Sequence, residues 1–379
     1  MTQPDRYTTP TYATSGVDEA LEQSVFAKVM RPWLAKTAVR NSMVSAITGL
    51  SSGYFATILQ LPPGPPIALT TDGVGTKILL AREAGQYECI GIDVVANNVN
   101  DLLCVGAEPI ALLDYLATDR IEESVLEDLA RGLFIGASAA GIAIPGGEIA
   151  QVGAMLADPG TAGPMLDLVG TAIGALPAGS GPGGWRVPVD GSLVRPGDVV
   201  IGLPSSGMHS NGYSLARTVL TRGSTMRLDE PVPGTQQSLG EQLLQPTAIY
   251  VNAIQGLWSS GITPRGLVHI SGGGMLNLAR LAADVSYELD QFPAPAPLFQ
   301  YIQRLGGLPN ASMHETFNMG IGFCIVVSSS DIDVATSSIE KSGYTPIVIG
   351  SVTRAPGRTV TIPSAGIRGQ GDVFENHSG

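Results

Sequence analysis

The stretch Ala68–Lys77, ALTTDGVGTK, joins an apolar, strand-like segment to a loop that contains glycine. Gly73 and Gly75 lack a Cβ, so the backbone N–H groups of this loop can turn toward an anion. Asp72 offers the oxygen ligands that Mg²⁺ prefers, and Lys77 is a mobile cation suited to a phosphate. The stretch therefore predicts a nucleotide-phosphate site at the end of a strand.

The same letters also have an ordinary structural interpretation. Asp-Gly after a strand is a common hairpin turn, and the loop lacks the GxxxxGK[ST] pattern of a P-loop. Phosphate binding and simple chain reversal therefore both remain open on these ten residues, and the choice between them depends on the rest of the chain.

The composition indicates a globular protein of two or three domains. The chain has 379 residues, of which 44% are hydrophobic and 14% charged. That is ample for buried cores at about 150 residues per domain. The formal net charge is −12, and such a surface repels nucleic acid and acidic membranes. We therefore expect neither as a partner, and an anionic substrate must be held by N–H groups, a metal ion or a few cations.

The cysteines and the apolar runs bear on the compartment. Cys89, Cys104 and Cys324 are far apart and form no CxxC pair, which argues against a zinc site or a disulfide framework. No basic stretch followed by an apolar run opens the chain, and no apolar stretch reaches the roughly 18 residues of a membrane helix. The expected location is the cytoplasm.

Residues 91–107 have the periodicity of an amphipathic helix. At about 100° per residue, Asp93, Asn97, Asn100 and Asp101 fall on one face, while valines and leucines occupy the other. A solvated surface is the ordinary interpretation of a polar face. This face has short acids and amides but no Lys, Arg or Glu, so we favour a face that binds a metal ion or a ligand.

Strand and helix patterns alternate on both sides of Pro177–Gly184, in which six of eight residues are Gly or Pro. This composition predicts a flexible linker between two mixed α/β domains, residues 1–176 and 185–363, followed by a loose tail over 364–379. In the second domain, residues 243–258 read as one long helix.

Two more acids in the first half belong to candidate sites. Asp114 lies in a predicted strand over 110–116, and Glu148 follows the glycine-rich turn Pro145–Gly147. The strand thus carries one acid, and the turn displays the other.

Two loops of the second half have the strand–loop–helix form that presents N–H groups to anions. They are 204–212 (PSSGMHSNG) and 269–274 (HISGGG), and they contain His209 and His269. A lone histidine is usually structural or exposed, whereas one at a ligand loop can transfer a proton or contact a phosphate. No GxSxG elbow is present, and no GxGxxG joins a strand to a helix, which disfavours a serine hydrolase and a dinucleotide-binding domain.

Further motifs match one known family in order along the chain. They are GVD (16–18), TDGVGTK (71–77), GIDVVANNVNDLLCVGAEP (91–109), LDYLA (113–117), GGE (146–148), SSGMHSNGYSLAR (205–217), LLQPTAIYV (243–251), HISGGGMLNLARL (269–281) and TFNMGIGF (316–323). Through them the chain resembles the aminoimidazole ribonucleotide synthetase (phosphoribosylformylglycinamidine cyclo-ligase) family. The forms SSGMHSNG and TFNMGIGF are closer to its archaeal branch.

The resemblance implies a fold and a reaction. It implies two α/β domains, a homodimer in which the N-terminal domains pair their sheets, and ATP binding near the domain interfaces. It implies that formylglycinamidine ribonucleotide and ATP become aminoimidazole ribonucleotide, ADP and phosphate. Phosphorylation turns the amide oxygen into a leaving group, and an amidine nitrogen then closes the ring; such a step depends on positioning and charge neutralisation.

The resemblance also implies roles for matched residues. Asp72 and His209 would be the catalytic pair, and Asp72, Asp101 and Glu148 would surround Mg²⁺. The residues expected to bind ATP are Lys77, Asp93, Asn97, Asp101, Asp114 and Glu148. Those expected to bind the substrate and its phosphate are Ser206, Gly207, Ser210, Asn211, His269, Gly272, Gly273 and Gly274.

One segment departs from the family pattern. The family's GGETAEMPG reads GGEIAQVGA at 146–154, with Ile149 for Thr and Gln151 for the second Glu. This departure leaves open another ATP-dependent phosphotransferase or amide-activating enzyme of the same superfamily, or a non-catalytic relative. Retention of Asp72, Lys77, Asp101 and His209 argues against the last. The number of metal ions, a monovalent-ion requirement and the proton donor are not determined by these motifs.

Overall fold

A computed structural model describes residues 9–38, 45–46, 54–61, 63–156, 163–221 and 227–377. The strands are β1 (Ser45–Ala46), β2 (Thr57–Gln60), β3 (Ile67–Gly73), β4 (Glu108–Thr118), β5 (Ala143–Gln151), β6 (Leu166–Ala175), β7 (Val199–Pro204), β8 (Gly266–His269), β9 (Ser286–Glu288), β10 (Ile321–Val327), β11 (Ile347–Thr353), β12 (Val360–Ile362), β13 (Ile367–Gln370) and β14 (Val373–Asn376). The helices are α1 (Glu19–Val25), α2 (Arg31–Ala38), α3 (Lys77–Ala84), α4 (Glu88–Cys104), α5 (Glu123–Ala140), α6 (Gly153–Leu156), α7 (Tyr213–Leu220), α8 (Leu239–Leu243), α9 (Val251–Ser259), α10 (Pro297–Gly306), α11 (Asn310–Thr316) and α12 (Ile332–Lys341).

The strands form two sheets, which confirms the predicted pair of mixed α/β domains. The N-terminal sheet has the order β1-β2-β3-β6-β4-β5, and the C-terminal sheet has the order β14-β13-β12-β9-β11-β7-β10-β8. Most neighbours are antiparallel, while β4 with β5 and β12 with β9 are parallel. Helix α4 packs against the N-terminal sheet and also contacts β8 of the C-terminal domain.

Helix α4 owes its position to its valines and leucines. Val94, Val95, Val99, Leu102 and Leu103 are all buried in the core, so the apolar stripe found in the sequence does anchor this helix. The helix ends before Gly106, which has φ 76°, a backbone conformation that glycine adopts without strain. The chain then returns along β4.

The structure corrects two expectations about the connecting segments. Residues 364–379 are not a loose tail over most of their length, because β13 and β14 form a hairpin at the edge of the C-terminal sheet. The proline- and glycine-rich linker folds back on itself, with a bridge between Ala178 and Trp185. Arg186 then stacks on Trp258 at 3.9 Å and donates to the carbonyl of Gly106 (3.1 Å).

The predicted helix over 243–258 is interrupted. Its two ends belong to α8 and α9, but residues 244–250 between them are not helical. Their main-chain groups bond to side chains of the N-terminal domain instead of to a helical turn, and these bonds form the seam between the domains.

Candidate active site

The end of β3 sets the position of Asp72. Across the sheet, Asp72 lies opposite Gly170, Gly170 opposite Asp114, and Asp114 opposite Gly147. Residues directly opposite each other share one face of a sheet. That face looks toward α4, because a Cβ on Gly170 would meet the side-chain nitrogen of Asn98. The chain enters α3 after this strand, so the hairpin interpretation is wrong.

Two amides of α4 hold the backbone at this strand end. Asn98 donates from Nδ2 to the carbonyl of Asp72 (3.1 Å), and Asn97 donates to the carbonyl of Gly73 (3.2 Å). The N–H of Gly73 donates to Oδ1 of Asp72 (2.8 Å). Asn97 therefore positions the loop that carries Asp72. Asn98, which lies off the polar face in the sequence pattern, does the same and was missed.

The carboxylate of Asp101, on α4, acts electrostatically on that of Asp72 at the end of β3, and we call these two groups the carboxylate pair. Loss of hydration among the surrounding protein atoms raises the pKa of Asp72 to about 6. The negative charge of Asp101 adds to the rise, as expected for two like charges near each other. The N–H of Gly73 and the ring of His269 act in the opposite direction. Asp72 itself remains accessible to solvent, so water or a ligand can reach it.

His269 is tied to Asp101 rather than left free to contact a ligand through both nitrogens. Its Nδ1 lies 2.9 Å from Oδ1 of Asp101, and its backbone N–H donates to Sγ of Cys104 (3.0 Å). The ring is buried, and its Nε2 has no partner among the residues that the coordinates describe. If Nδ1 donates to the carboxylate, Nε2 is the nitrogen that can accept.

Lys77 and Asp93 are placed differently from the prediction. Their side chains are 0% exposed, and Nζ lies 2.7 Å from Oδ2. Lys77 also donates to the carbonyl of Gln245 (2.6 Å). A buried and paired ammonium does not match the expected mobile phosphate cation, and Asp93 is likewise turned away from the solvent. Both residues join the domains.

The polar face of α4 continues this seam. The N–H of Thr247 donates to Oδ1 of Asp93 (2.7 Å). Asn100 donates to the carbonyl of Ala248 (2.8 Å) and accepts from the N–H of Tyr250 (3.1 Å). The expected ligand-binding face is thus largely an inter-domain face, and Asp101 is the member whose charge acts on Asp72. The motif LLQPTAIYV contained the partners, but no spacing rule linked them to α4.

The loop over residues 205–211 presents His209 at this seam. His209 has φ 60°, a strained conformation for a residue with a side chain. Its Nε2 accepts from the N–H of Ser206 (3.3 Å), and its buried Nδ1 lacks a partner in the described residues. Burial holds the pKa of His209 well below its usual value, with smaller effects from His269 and Lys77. The ring is therefore neutral near pH 7.

Asn318 fixes this loop, a role that no sequence pattern indicated. Its Nδ2 donates to the carbonyl of Gly207 (2.8 Å), and its Oδ1 accepts from Ser205 Oγ (3.0 Å) and the N–H of Gly320 (2.9 Å). Gly322 is also required here, because a Cβ would collide with His209 and with the Tyr250 hydroxyl. The stretch TFNMGIGF signalled this region without revealing these roles.

The other predicted residues of the loop face the seam or solvent. Ser206 Oγ donates to the carbonyl of Pro246 (2.5 Å), and Ser210 Oγ lies 3.1 Å from the hydroxyl of Thr247. Asn211 is half-buried. No hydrogen bond joins Asp72 to His209 within the described ranges. The charge of His269 affects the pKa of both Asp72 and His209, so His269 links the two electrostatically.

Glu148 is separated from the carboxylate pair. It lies opposite Tyr115, and successive strand residues alternate faces, so it lies on the sheet face away from α4. Gly147 leaves room for the carboxylate of Asp114, whose pKa is raised by burial. In the part of the chain with described coordinates, no group of three or more His, Cys, Asp or Glu residues could hold a metal ion. The expected set of Asp72, Asp101 and Glu148 does not form within one chain.

The glycine-rich loop after β8 borders a cavity of about 570 Å³. Gly272 and Gly273 line it, together with the charged residues Arg280 and Arg358 and three acids. Gly274 packs against the carbonyl of His314 and leaves no space for a Cβ. Gly272 and Gly273 are thus open to a ligand, whereas Gly274 serves packing.

The comparison with known proteins decides the family. The AIR synthase related protein family matches the chain over residues 53–176 with its N-terminal domain and over residues 195–363 with its C-terminal domain. The chain belongs to this family. The AIR synthase related N-terminal domain contains Asp72 and all of α4, and the C-terminal domain contains His209, His269 and Asn318.

Relatives in this family align with this chain over nearly its whole length. The phosphoribosylformylglycinamidine cyclo-ligase of Methanothermobacter thermautotrophicus is 40% identical over 343 residues, which cover 90% of this chain and 94% of the relative. The cyclo-ligase of Myxococcus xanthus is 37% identical over 360 residues, 93% of this chain and 98% of the relative.

Solved structures share the fold at low identity. The HypE–HypF complex contains a chain with TM-score 0.60 and 18% identity, covering 91% of this chain and 99% of that one. Hydrogenase maturation protein HypE in complex with ATP aligns with TM-score 0.55 and 16% identity, covering 97% of this chain and 98% of that one.

The helices of the described residues include none with the length and hydrophobicity of a membrane span.

Proposed function

We propose that this protein closes the imidazole ring of aminoimidazole ribonucleotide from formylglycinamidine ribonucleotide with ATP, in purine biosynthesis. The observation that carries the proposal is the Asp72–Asp101 carboxylate pair, joined to His269 beside the loop of His209. Relatives named for this activity match about nine-tenths of the chain at 37–40% identity. The reaction requires charged and hydrogen-bonding groups placed where charge develops, and this seam offers two carboxylates beside two histidines.

The chemistry assigns separate tasks to the residues. The amide oxygen attacks the γ-phosphorus of ATP. The bond between the γ-phosphorus and the oxygen that bridges to the β-phosphate breaks, ADP leaves, and the amide nitrogen loses its proton. The amidine nitrogen then bonds to the activated carbon as phosphate leaves with the former amide oxygen. Neutral His209, whose Nε2 accepts from Ser206, carries its proton on Nδ1. Because Nδ1 is buried, its loop would have to shift for this N–H to donate to a substrate oxygen. Asp101 orients His269 through Nδ1.

The residues present fit Mg²⁺ held jointly with ATP. Mg²⁺ in nucleotide sites is usually bound by one or two carboxylates plus the phosphates. A cation would offset both the loss of hydration and the Asp101 charge, which together raise the pKa of Asp72. Asp72 and Asp101 would hold it, and it would neutralise the charge on the phosphates. ATP as the second substrate agrees with the HypE structure solved with ATP. We further propose that Gly272 and Gly273 receive the ribose phosphate.

The open face of the N-terminal sheet supports a homodimer. On it, Leu113 is 51% exposed and Tyr115 is 45% exposed, which is unfavourable for an isolated sheet face. A second copy that presents the same face would bury both residues. Glu148 lies on this face, so its predicted role in ATP binding would belong to a site completed by the second subunit. Light scattering of the purified protein should give twice the chain mass, and Leu113→Asp should give monomers; a wild-type monomer would reject this arrangement.

The decisive experiment is the product assay. Purified protein is incubated with ATP, Mg²⁺ and formylglycinamidine ribonucleotide, and aminoimidazole ribonucleotide, ADP and phosphate are quantified by chromatography and mass spectrometry. We expect the three products in equal amounts, and none when the ribonucleotide is omitted. Absence of product at high concentration of folded enzyme would reject the proposed function.

A further inference from the structure

A second cavity, of about 470 Å³, opens beside loop 205–211 in the C-terminal domain. Its volume lies in the range of about 300–1,000 Å³ that small-molecule sites occupy. Gly207 and Gly320 line it on the side of the loop, and Leu298 and Phe299 contribute apolar surface. It is therefore adjacent to the backbone that Asn318 holds in place.

The chemistry of this lining is unusual for so acidic a protein. Among the described residues that form it, none has a charged side chain; the polar ones are Ser205, Ser206, Thr235, Gln237, Gln242 and Gln245. A phosphate placed here would lose hydration without gaining a cation. Hydroxyls and amides beside apolar surface suit an uncharged polar group, such as a sugar.

Gln245 is the polar residue best prepared for a ligand. Its carbonyl is fixed by Lys77 (2.6 Å), and its Cβ and Cγ lie against Gly207. Its side-chain amide makes no hydrogen bond within the described part of the chain. By contrast, Gln242 already donates to the hydroxyl of Thr235 (2.9 Å). The Gln245 amide thus has a donor and an acceptor available at a fixed place.

We propose that this cavity binds a ribose through its hydroxyl groups, with Gln245 as a specificity-determining residue. The inference rests on the proposed function, because both of its substrates carry a ribose. An amide can donate to one hydroxyl and accept from its neighbour, while Leu298 and Phe299 can pack against the carbon atoms of the sugar. A site built to bond a hydroxyl rejects an analogue that lacks it, because the protein group is left unpaired.

The test compares Gln245→Leu with wild type in binding rather than turnover. Calorimetry measures the Kd of formylglycinamidine ribonucleotide and of a non-hydrolysable ATP analogue, each as the ribose and the 2′-deoxyribose form. We expect wild type to bind one of the two ribose forms about tenfold more tightly than its deoxy form, and Gln245→Leu to lose that preference. The ligand that responds identifies which ribose occupies the cavity.

Gln300→Leu is the matched control, because Gln300 is an exposed glutamine of α10 whose amide bonds to the carbonyl of Pro295 (2.6 Å). It should keep the wild-type affinities. A folded Gln245→Leu protein that still prefers the ribose forms, or a wild type without any preference, would overturn the inference. Product formation without a ribose preference rejects only this inference, and a ribose preference without product formation rejects only the proposed function.

Discussion

Replacing Lys77 by methionine removes one half of an ion pair that has no access to solvent. Methionine keeps most of the side-chain length, but it leaves the Asp93 carboxylate buried with the Thr247 N–H as its remaining bond. It also deprives the Gln245 carbonyl of its donor. Breaking a buried ion pair from one side costs about 3–5 kcal/mol. We expect Lys77→Met to lower the free energy of unfolding by about that amount.

A second variant separates the charge from the packing. Lys77→Met combined with Asp93→Asn removes both charges and retains an acceptor for Thr247, so it should recover about 2 kcal/mol or more relative to Lys77→Met alone. Urea unfolding, followed by tryptophan fluorescence and far-UV circular dichroism, measures these differences. The control is Arg131→Met, which breaks solvent-accessible pairs with Glu88, Glu127 and Asp128 and should change stability by about 1 kcal/mol or less.

One result would refute the reasoning from the buried pair. If Lys77→Met unfolds within about 1 kcal/mol of wild type while its KM for ATP rises tenfold or more, Lys77 acts as the mobile phosphate cation predicted from the sequence. Loss of stability with an unchanged KM in the folded fraction would instead assign Lys77 to the domain seam.

Substitutions at three other positions test the site. With the pKa of Asp72 near 6 in the free enzyme, kcat/KM for ATP should fall below that pH, and Asp72→Asn should remove this acidic limb and lower the rate about a hundredfold. The raised pKa means that the ionised Asp72 carboxylate opposes folding, so Asp72→Asn should be more stable than wild type at pH 8. This gain in stability should vanish below about pH 4, where Asp72 is protonated in the unfolded chain as well. Equal stability gains at both pH values would contradict the raised pKa. Asn318→Ala removes three hydrogen bonds from the strained loop and should lower kcat at least tenfold. Asn318→Asp keeps the acceptor and should lower kcat less. Wild-type turnover in both variants would exclude a positioning role for Asn318. Gly322→Ala forces a Cβ against His209 and Tyr250 and should yield a destabilised, inactive protein in thermal and product assays, so normal melting and turnover would show that the ring has room to move.

Local patterns in the sequence predicted many elements well. The strand before Asp72 occurs where the pattern placed it, and the amphipathic helix predicted over 91–107 became α4 (Glu88–Cys104), which begins and ends three residues earlier. These elements depend on neighbours three or four residues apart, or on alternation along one strand. The family motifs in turn identified the loops that carry His209 and His269.

The roles of individual side chains depended on contacts between distant parts of the chain. Asn100 bonds to Tyr250 across 150 positions, and Asp93 bonds to Thr247 across 154. No local pattern specifies such partners, so the polar face of α4 looked like a ligand site although most of it joins two domains. The same contacts replaced the middle of a predicted helix with the non-helical seam over residues 244–250.

Sequence alone determined which chemistry the chain possesses: short acids, glycine loops and two histidines in family-specific order. Tertiary structure decided which of these groups meet. Strand register put Glu148 on the opposite sheet face from Asp72, and burial converted Lys77 from an expected phosphate ligand into half of an ion pair. The physical reason is that register and burial arise from the packing of whole sheets and domains, whereas residue type and spacing are properties of the chain itself.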